Sequence, residues 1–176
     1  MGRRRLPTGN REQDVVNPLF RAAEDRVYAY LQRLATPESP VVDMRHEKTY
    51  YDFRKGPFTI DVKCDQYAHQ TGRVAWEQYI FINRGEDSLD RVNGWGSDER
   101  LDYIAYVFPK GDEEAWPCLI VNRRKMAQQI QEAVGTPQER ELKAFLKESG
   151  KRTATGYAAN IEWLRAGGCI IWTTEV

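Results

Sequence analysis

The sequence predicts an α/β domain built on a central mixed β-sheet flanked by helices, and three patterns carry that prediction. The first is an apolar stripe of Leu19, Phe20, Ala23, Val27, Leu31 and Leu34 at helical spacing. The second is strict alternation from Phe58 to Asp65, where Phe58, Ile60, Val62 and Cys64 take turns with Thr59, Asp61, Lys63 and Asp65. A period of two is the mark of a half-buried strand. The third is a later pair of strand-like runs, about 101–108 and 116–121, followed by helical segments at about 123–134 and 137–148.

Each element has a local reason. Asn17 and Pro18 suit the cap and first turn of the opening helix, and Thr36-Pro37-Glu38-Ser39-Pro40 ends it. Strands are expected at about 47–53, 58–64 and 73–82, and the polar, Gly-containing stretch 83–100 reads as a long loop with room for one helical turn. Pro109-Lys110-Gly111-Asp112 reads as a turn. Thr136 with Glu139 forms a capping box, with Pro137 at the first helical position, so a helix is expected over 137–148. Gly167-Gly168 breaks the chain before a β-rich end at Cys169–Thr174. Residues 1–16 read as a flexible basic arm, and 17–176 as a single domain.

Composition bounds the function. A chain of 176 residues with 41% apolar and 11% aromatic content can bury a core without metal or disulfide staples. No run approaches the ~20 apolar residues needed to cross a bilayer, so no membrane partner is expected. Met1-Gly2-Arg3-Arg4-Arg5 lacks a following apolar segment and does not read as a secretory signal. Cys64, Cys118 and Cys169 are widely spaced and odd in number, which reads as reduced thiols in a cytoplasmic setting. His46 and His69 lack ligand spacing for zinc. With 26 basic and 26 acidic residues, bulk charge does not drive nucleic-acid binding. Basic rims at Arg3–Arg5, Arg123–Lys125 and Lys143, Lys147, Lys151 and Arg152 read first as solvated surface.

The chemistry concentrates in one short stretch. On the 58–64 strand the apolar set faces a core, so Asp61 and Lys63 project together from the other side. Arg54-Lys55-Gly56-Pro57 reads as a four-residue hairpin loop. If Phe53 then pairs with Phe58, Asp52 lies opposite Thr59 and diagonal to Asp61, at roughly 7–8 Å. Two carboxylates at that separation can share a divalent ion, and Lys63 completes an acid-acid-base cluster. The plain alternative is an Asp61–Lys63 ion pair on an exposed sheet.

Asp52, eight intervening residues and Asp61-x-Lys63 resemble the D…DxK form of the PD-(D/E)XK nuclease superfamily. The likeness continues through Lys63-Cys64-Asp65, Thr71-Gly72 with Glu77, Gly94-Trp95 and Leu101–Tyr106, and covers about a third of the chain. Tyr51 stands where the family name has proline, and the third position is aspartate rather than the more usual glutamate. The resemblance implies a restriction-endonuclease-like αβββαβ core and a metal-dependent nuclease hydrolysing phosphodiester bonds, with DNA the expected substrate. It implies Mg²⁺, with Mn²⁺ able to substitute, held by Asp52, Asp61 and the Val62 carbonyl.

Lys63 would position or deprotonate the attacking water. Glu24 sits at the edge of the first helix's apolar stripe, where an N-terminal helix of this superfamily supplies a further metal ligand; a simple pair with Arg21 is the alternative. Glu77 is a candidate for the same acidic face if its strand pairs antiparallel with 58–64. Asp65 is expected to orient the loop 66–70. Many enzymes of this fold cut as dimers, so a homodimer fits. The competing class is a non-catalytic nucleic-acid- or protein-binding module that keeps the nuclease-like fold.

Overall fold

A computed structural model describes residues 18–47, 49, 51–83, 89–110 and 113–176. The basic arm at 1–16 and the cap at Asn17 lie outside the described residues. The described residues form a mixed α/β fold with two sheets and few helices. Helix α1 (Pro18–Arg33) is followed by β1 (Val41–Asp43), β2 (Phe53–Lys55) and β3 (Phe58–Cys64). A single helical turn, α2 (Ala68–Thr71), leads into β4 (Arg73–Asn83) and β5 (Leu89–Asn93). A 3-10 turn at Trp95–Ser97 precedes β6 (Tyr103–Val107), β7 (Pro117–Asn122) and helix α3 (Arg123–Ala133). A second 3-10 turn, Pro137–Glu141, opens into β8 (Leu142–Ser149) and β9 (Arg152–Asn160); α4 (Ile161–Ala166) and β10 (Ile170–Glu175) finish the chain.

The larger sheet has the order β1-β2-β3-β6-β7-β10, and β3 pairs with β6 in parallel while its other pairings are antiparallel. A parallel neighbour requires a crossover; here the crossover contains α2, β4, β5 and the first 3-10 turn. The smaller sheet, β5-β4-β9-β8, is entirely antiparallel.

Side-chain alternation gives the larger sheet two covered faces. Ile60, Val62, Ala105, Val107 and Cys118 pack with Ala23, Val27 and Leu31 of α1. Ile104, Tyr106, Leu119 and Val121 point the other way, against Met126 and Ile130 of α3 and against Val74, Trp76 and Ala159 of the smaller sheet. Asp61 pairs with Ile104 and Lys63 with Tyr106, so both charged residues share the face that the second sheet and α3 cover.

Four expectations need correction. The 83–100 stretch holds the single helical turn expected of it, as a 3-10 turn, but also an unexpected strand, β5. The strand at 47–53 shrinks to β2, which begins at Phe53, and the extra strand β1 precedes it. The hairpin is tighter than expected: Phe53 pairs with Ile60 and Lys55 with Phe58, leaving only Gly56-Pro57 in the turn. Gly56 has φ +55°, the positive value that a type II′ hairpin requires at its first central residue.

The fourth correction concerns 137–148, which is a 3-10 turn and a strand rather than a helix. Thr136 does cap, accepting from the Gln138 N–H. Glu139 instead accepts from the Gly135 N–H, so the reciprocal half of the box does not close. The segment after the cap, from Leu142 onward, pairs along its whole length with β9. Tertiary strand pairing overrides a helix signal that local chemistry only begins.

Candidate functional site

Asp52, Asp61 and Lys63 meet where β2 ends beside β3, within electrostatic range of one another. The Asp52 N–H donates to the Ile60 carbonyl at 3.0 Å, continuing the ladder one residue past Phe53. With Phe53 already paired to Ile60, this sets Asp52 and Phe53 both against Ile60, a bulge at the end of the ladder, so Asp52 does not take the expected place opposite Thr59. Its carboxylate does not stand on the Asp61 face. Oδ2 accepts the Val62 N–H at 2.7 Å, which lies in the plane of the sheet where β2 has stopped.

Asp61 is 7% exposed, and its Oδ2 lies 2.6 Å from Lys63 Nζ. That approach is an ion pair but not an aligned hydrogen bond, and no other donor among the described residues reaches the buried Oδ2. The side chain of Lys63 is 24% exposed, and the Trp95 ring covers its ammonium at 5.3 Å from the centroid. A cation over an indole face is attracted by the ring quadrupole.

The titration of these groups follows from crowding. Burial, then the charges of Asp61 and Glu24, push the Asp52 carboxyl well above its ordinary value, against the opposing pull of Lys63 and the Val62 N–H. Burial works against the Lys63 charge, but Asp61 and Asp52 outweigh it and hold the ammonium above its usual range. Burial also raises Glu77, opposed by Lys63 and by a hydrogen bond from the Trp95 backbone.

Glu77 reaches this cluster by a route other than the expected one. Strand β4 does not pair with β3; it pairs with β5 and β9 in the second sheet. Face-to-face packing of the two sheets, not strand pairing, brings Glu77 within electrostatic range of Lys63 and Asp61. The 3-10 turn between them needs Gly96, because a Cβ there would lie 2.3 Å from the Trp76 ring. Tyr106 ties the layers together through a hydrogen bond from its hydroxyl to the Ala75 carbonyl.

Glu24 approaches from α1. Its side chain is mostly buried and pairs with Arg45 at 3.5 Å and Arg21 at 3.6 Å. No sequence pattern singles out Arg45, yet it organises this flank: it also binds Asp25 and Asp43 and lies over the rings of Tyr28 and Phe53. No spacing rule links Arg45 to a helix twenty residues earlier, so only the fold reveals it.

Among the described residues no three His, Cys, Asp or Glu side chains converge as a metal cage. Two other acids have structural work. Asp65 Oδ1 accepts the Tyr67 and Ala68 N–H groups and so starts α2. Asp102 accepts from the Thr59 N–H and hydroxyl, joining the start of β3 to the approach to β6. The side chain of His69 lies outside the described residues.

Comparison with known proteins adds no relative: no family model, no curated protein and no solved structure matches this chain.

Proposed function

We propose that the protein is a metal-dependent nuclease whose Asp52, Asp61 and Lys63 act on a phosphodiester, with DNA as the substrate. The observation that carries this reading is that the Asp52 carboxylate, bound to the Val62 N–H, and the Asp61–Lys63 pair come together on β3, close enough for each to act on the other's charge. Two crowded acids, one with an oxygen lacking an aligned donor, form a site that a hard cation would relieve.

Asp52, Asp61 and the Val62 carbonyl are the oxygens proposed to hold Mg²⁺ or Mn²⁺, with water filling the remaining positions, as suits an ion bound through one or two carboxylates. Such an ion supplies Lewis acidity and a water of lowered pKa. Lys63, kept protonated by its neighbours, would orient that water and offset charge growing on the phosphoryl oxygens. Glu77 would hold Lys63 from the opposite layer. Glu24, engaged by Arg45, would set the charge felt by Asp52 rather than bind the ion itself.

A restriction-endonuclease-like core belongs to the same proposal. The run α1-β1-β2-β3, followed by a strand parallel to β3, supports it. The homodimer and the cytoplasmic setting also stand as proposals; among the described residues no helix is long and apolar enough to cross a membrane.

One observation favours the non-catalytic binding module: Lys63 and the Trp95 ring already occupy the Asp61 face. Incubation with single-stranded, duplex and branched DNA and with RNA, in Mn²⁺ and in EDTA, separates the two. Cutting that needs the metal supports the nuclease. Intact substrates throughout, with no thermal stabilisation by Mn²⁺, move the assignment to the binding module.

A further inference from the structure

The N-terminal end of α3 carries a second feature on the same face of the larger sheet as Asp61 and Lys63. A cleft of about 440 Å³ opens there between α3 and the 3-10 turn, lined by Ser97, Glu99, Arg123, Arg124, Gln128 and others. Arg123 is only 6% exposed. Its Nε donates to the Leu101 carbonyl at 2.8 Å, while its two terminal nitrogens have no hydrogen bond or ion pair among the described residues. The stem of Arg123 is buried while its unbonded end opens to the cleft, and the fork geometry of that end suits a phosphate or carboxylate.

The backbone of the helix points the same way. Of the first N–H groups of α3, Arg123 donates to the Asp102 carbonyl and Lys125 to the Asn122 side chain. The Arg124 N–H has no acceptor among the described residues, and the positive end of the helix dipole lies beside it. Arg124 adds an exposed charge at the mouth. Exposed Glu99 opposes these charges from the rim, where water screens it.

We propose that this cleft is a phosphate subsite that holds the nucleic-acid backbone beside the acidic cluster, with Arg123 as its buried anchor and Arg124 as its outer contact. The assignment rests on the nuclease reading. Strand β6 separates β3 from β7, so the cleft is displaced by roughly 10 Å from Asp61. The 3-10 turn carrying Trp95 and Ser97 forms a continuous wall from the lysine to the cleft.

The test is oligonucleotide binding in EDTA, followed by fluorescence anisotropy across a salt series, so that neither metal nor cleavage is needed. Arg124→Gln should weaken binding about three- to tenfold and lower the log–log salt slope by about 0.7–0.9, one phosphate contact. Glu99→Gln should tighten binding severalfold. Arg123→Lys keeps the charge but loses both the fork and the Nε bond to Leu101, so its loss of affinity is read at a temperature well below its own unfolding midpoint.

Wild-type affinity and slope in both Arg124→Gln and Glu99→Gln would overturn the subsite. Saturable binding of inorganic phosphate at the cleft, with no oligonucleotide bound, would overturn the backbone assignment and leave a free-phosphate site. A protein that binds through this cleft yet cuts nothing defeats the nuclease reading alone. One that cuts normally and ignores Arg124→Gln defeats the subsite alone.

Discussion

Lys63 Nζ rests 2.6 Å from Asp61 Oδ2 in a contact that is covered on one side by Trp95 and approached on another by Glu77. The pair is built by two layers. Strand β3 supplies both partners at i and i+2, and the second sheet closes over them. Asp61 is almost wholly buried, and that ammonium is the counter-charge set against it.

Lys63→Ala therefore should cost stability as well as function. Removing one partner of a buried pair leaves an uncompensated charge, worth about 3–5 kcal/mol in dry interiors. The partial exposure of Lys63 places the expected loss near the lower end, about 3 kcal/mol. Denaturant titration in EDTA checks the loss, and partial recovery in Mn²⁺ is expected because the freed carboxylate can take the ion. Equal stability of variant and wild type in EDTA contradicts the pairing.

Asp52→Asn should stabilise the metal-free protein at neutral pH while abolishing activity. Asp52 in the folded chain titrates above its ordinary 3.8, so the folded state binds that proton more tightly than the unfolded one. Its contribution to stability is full below the ordinary value and is lost as pH rises through the raised one. Every tenfold difference in proton affinity between the two states is worth about 1.4 kcal/mol. Asp43, lowered by Arg45, contributes with the opposite sign, so the quantity to measure is the wild-type minus Asp52→Asn difference across pH 3–8. It should grow against the wild type as pH rises; a flat difference refutes the crowding.

How much of this is legible in the sequence depends on range. Asp61 and Lys63 on one face follow from the alternation of β3 alone, since period two needs no partner. The Asp52–Asp61 relationship is visible in kind but misplaced by register, because Arg54-Lys55-Gly56-Pro57 supports either a four-residue or a two-residue loop and only the ladder decides. Strands β8 and β9 are hidden by a genuine cap at Thr136, and Arg45 by the absence of any local pattern. Glu77 is expected through strand pairing and arrives through sheet packing instead. The unexpected strand pair β8–β9 extends the sheet whose β4 carries it.

Gly96→Ala should disturb the turn that sets Trp95 over Lys63. The added methyl has no space beside Trp76, and overpacking of this kind costs about 1–3 kcal/mol. Thermal unfolding measures the loss, and tryptophan fluorescence should shift with it. An unchanged midpoint would show that the turn is free to move away from β4.

The thiols should be inert in the native protein. Burial, with Asp65 adding to it, pushes Cys64 up to about 11; burial pushes Cys118 up to about 12 and Cys169 up to about 11. At pH 7.5 the thiolate fraction is then roughly one part in a thousand or less. A chromogenic disulfide reagent should react slowly with folded protein and rapidly with three equivalents in guanidinium. Fast labelling of any native cysteine contradicts the burial described for it.

The central claim is that Asp61 serves phosphodiester cleavage, and single-turnover cutting of a labelled DNA by wild type and Asp61→Asn, with saturating Mn²⁺ and with EDTA, tests it most directly. Wild type is expected to cut only with metal, and the variant to lose at least about a hundredfold, the order seen when an electrostatic contact to the transition state is removed. Equal rates in wild type and a folded Asp61→Asn variant, or no cleavage by the wild type at all, would contradict it.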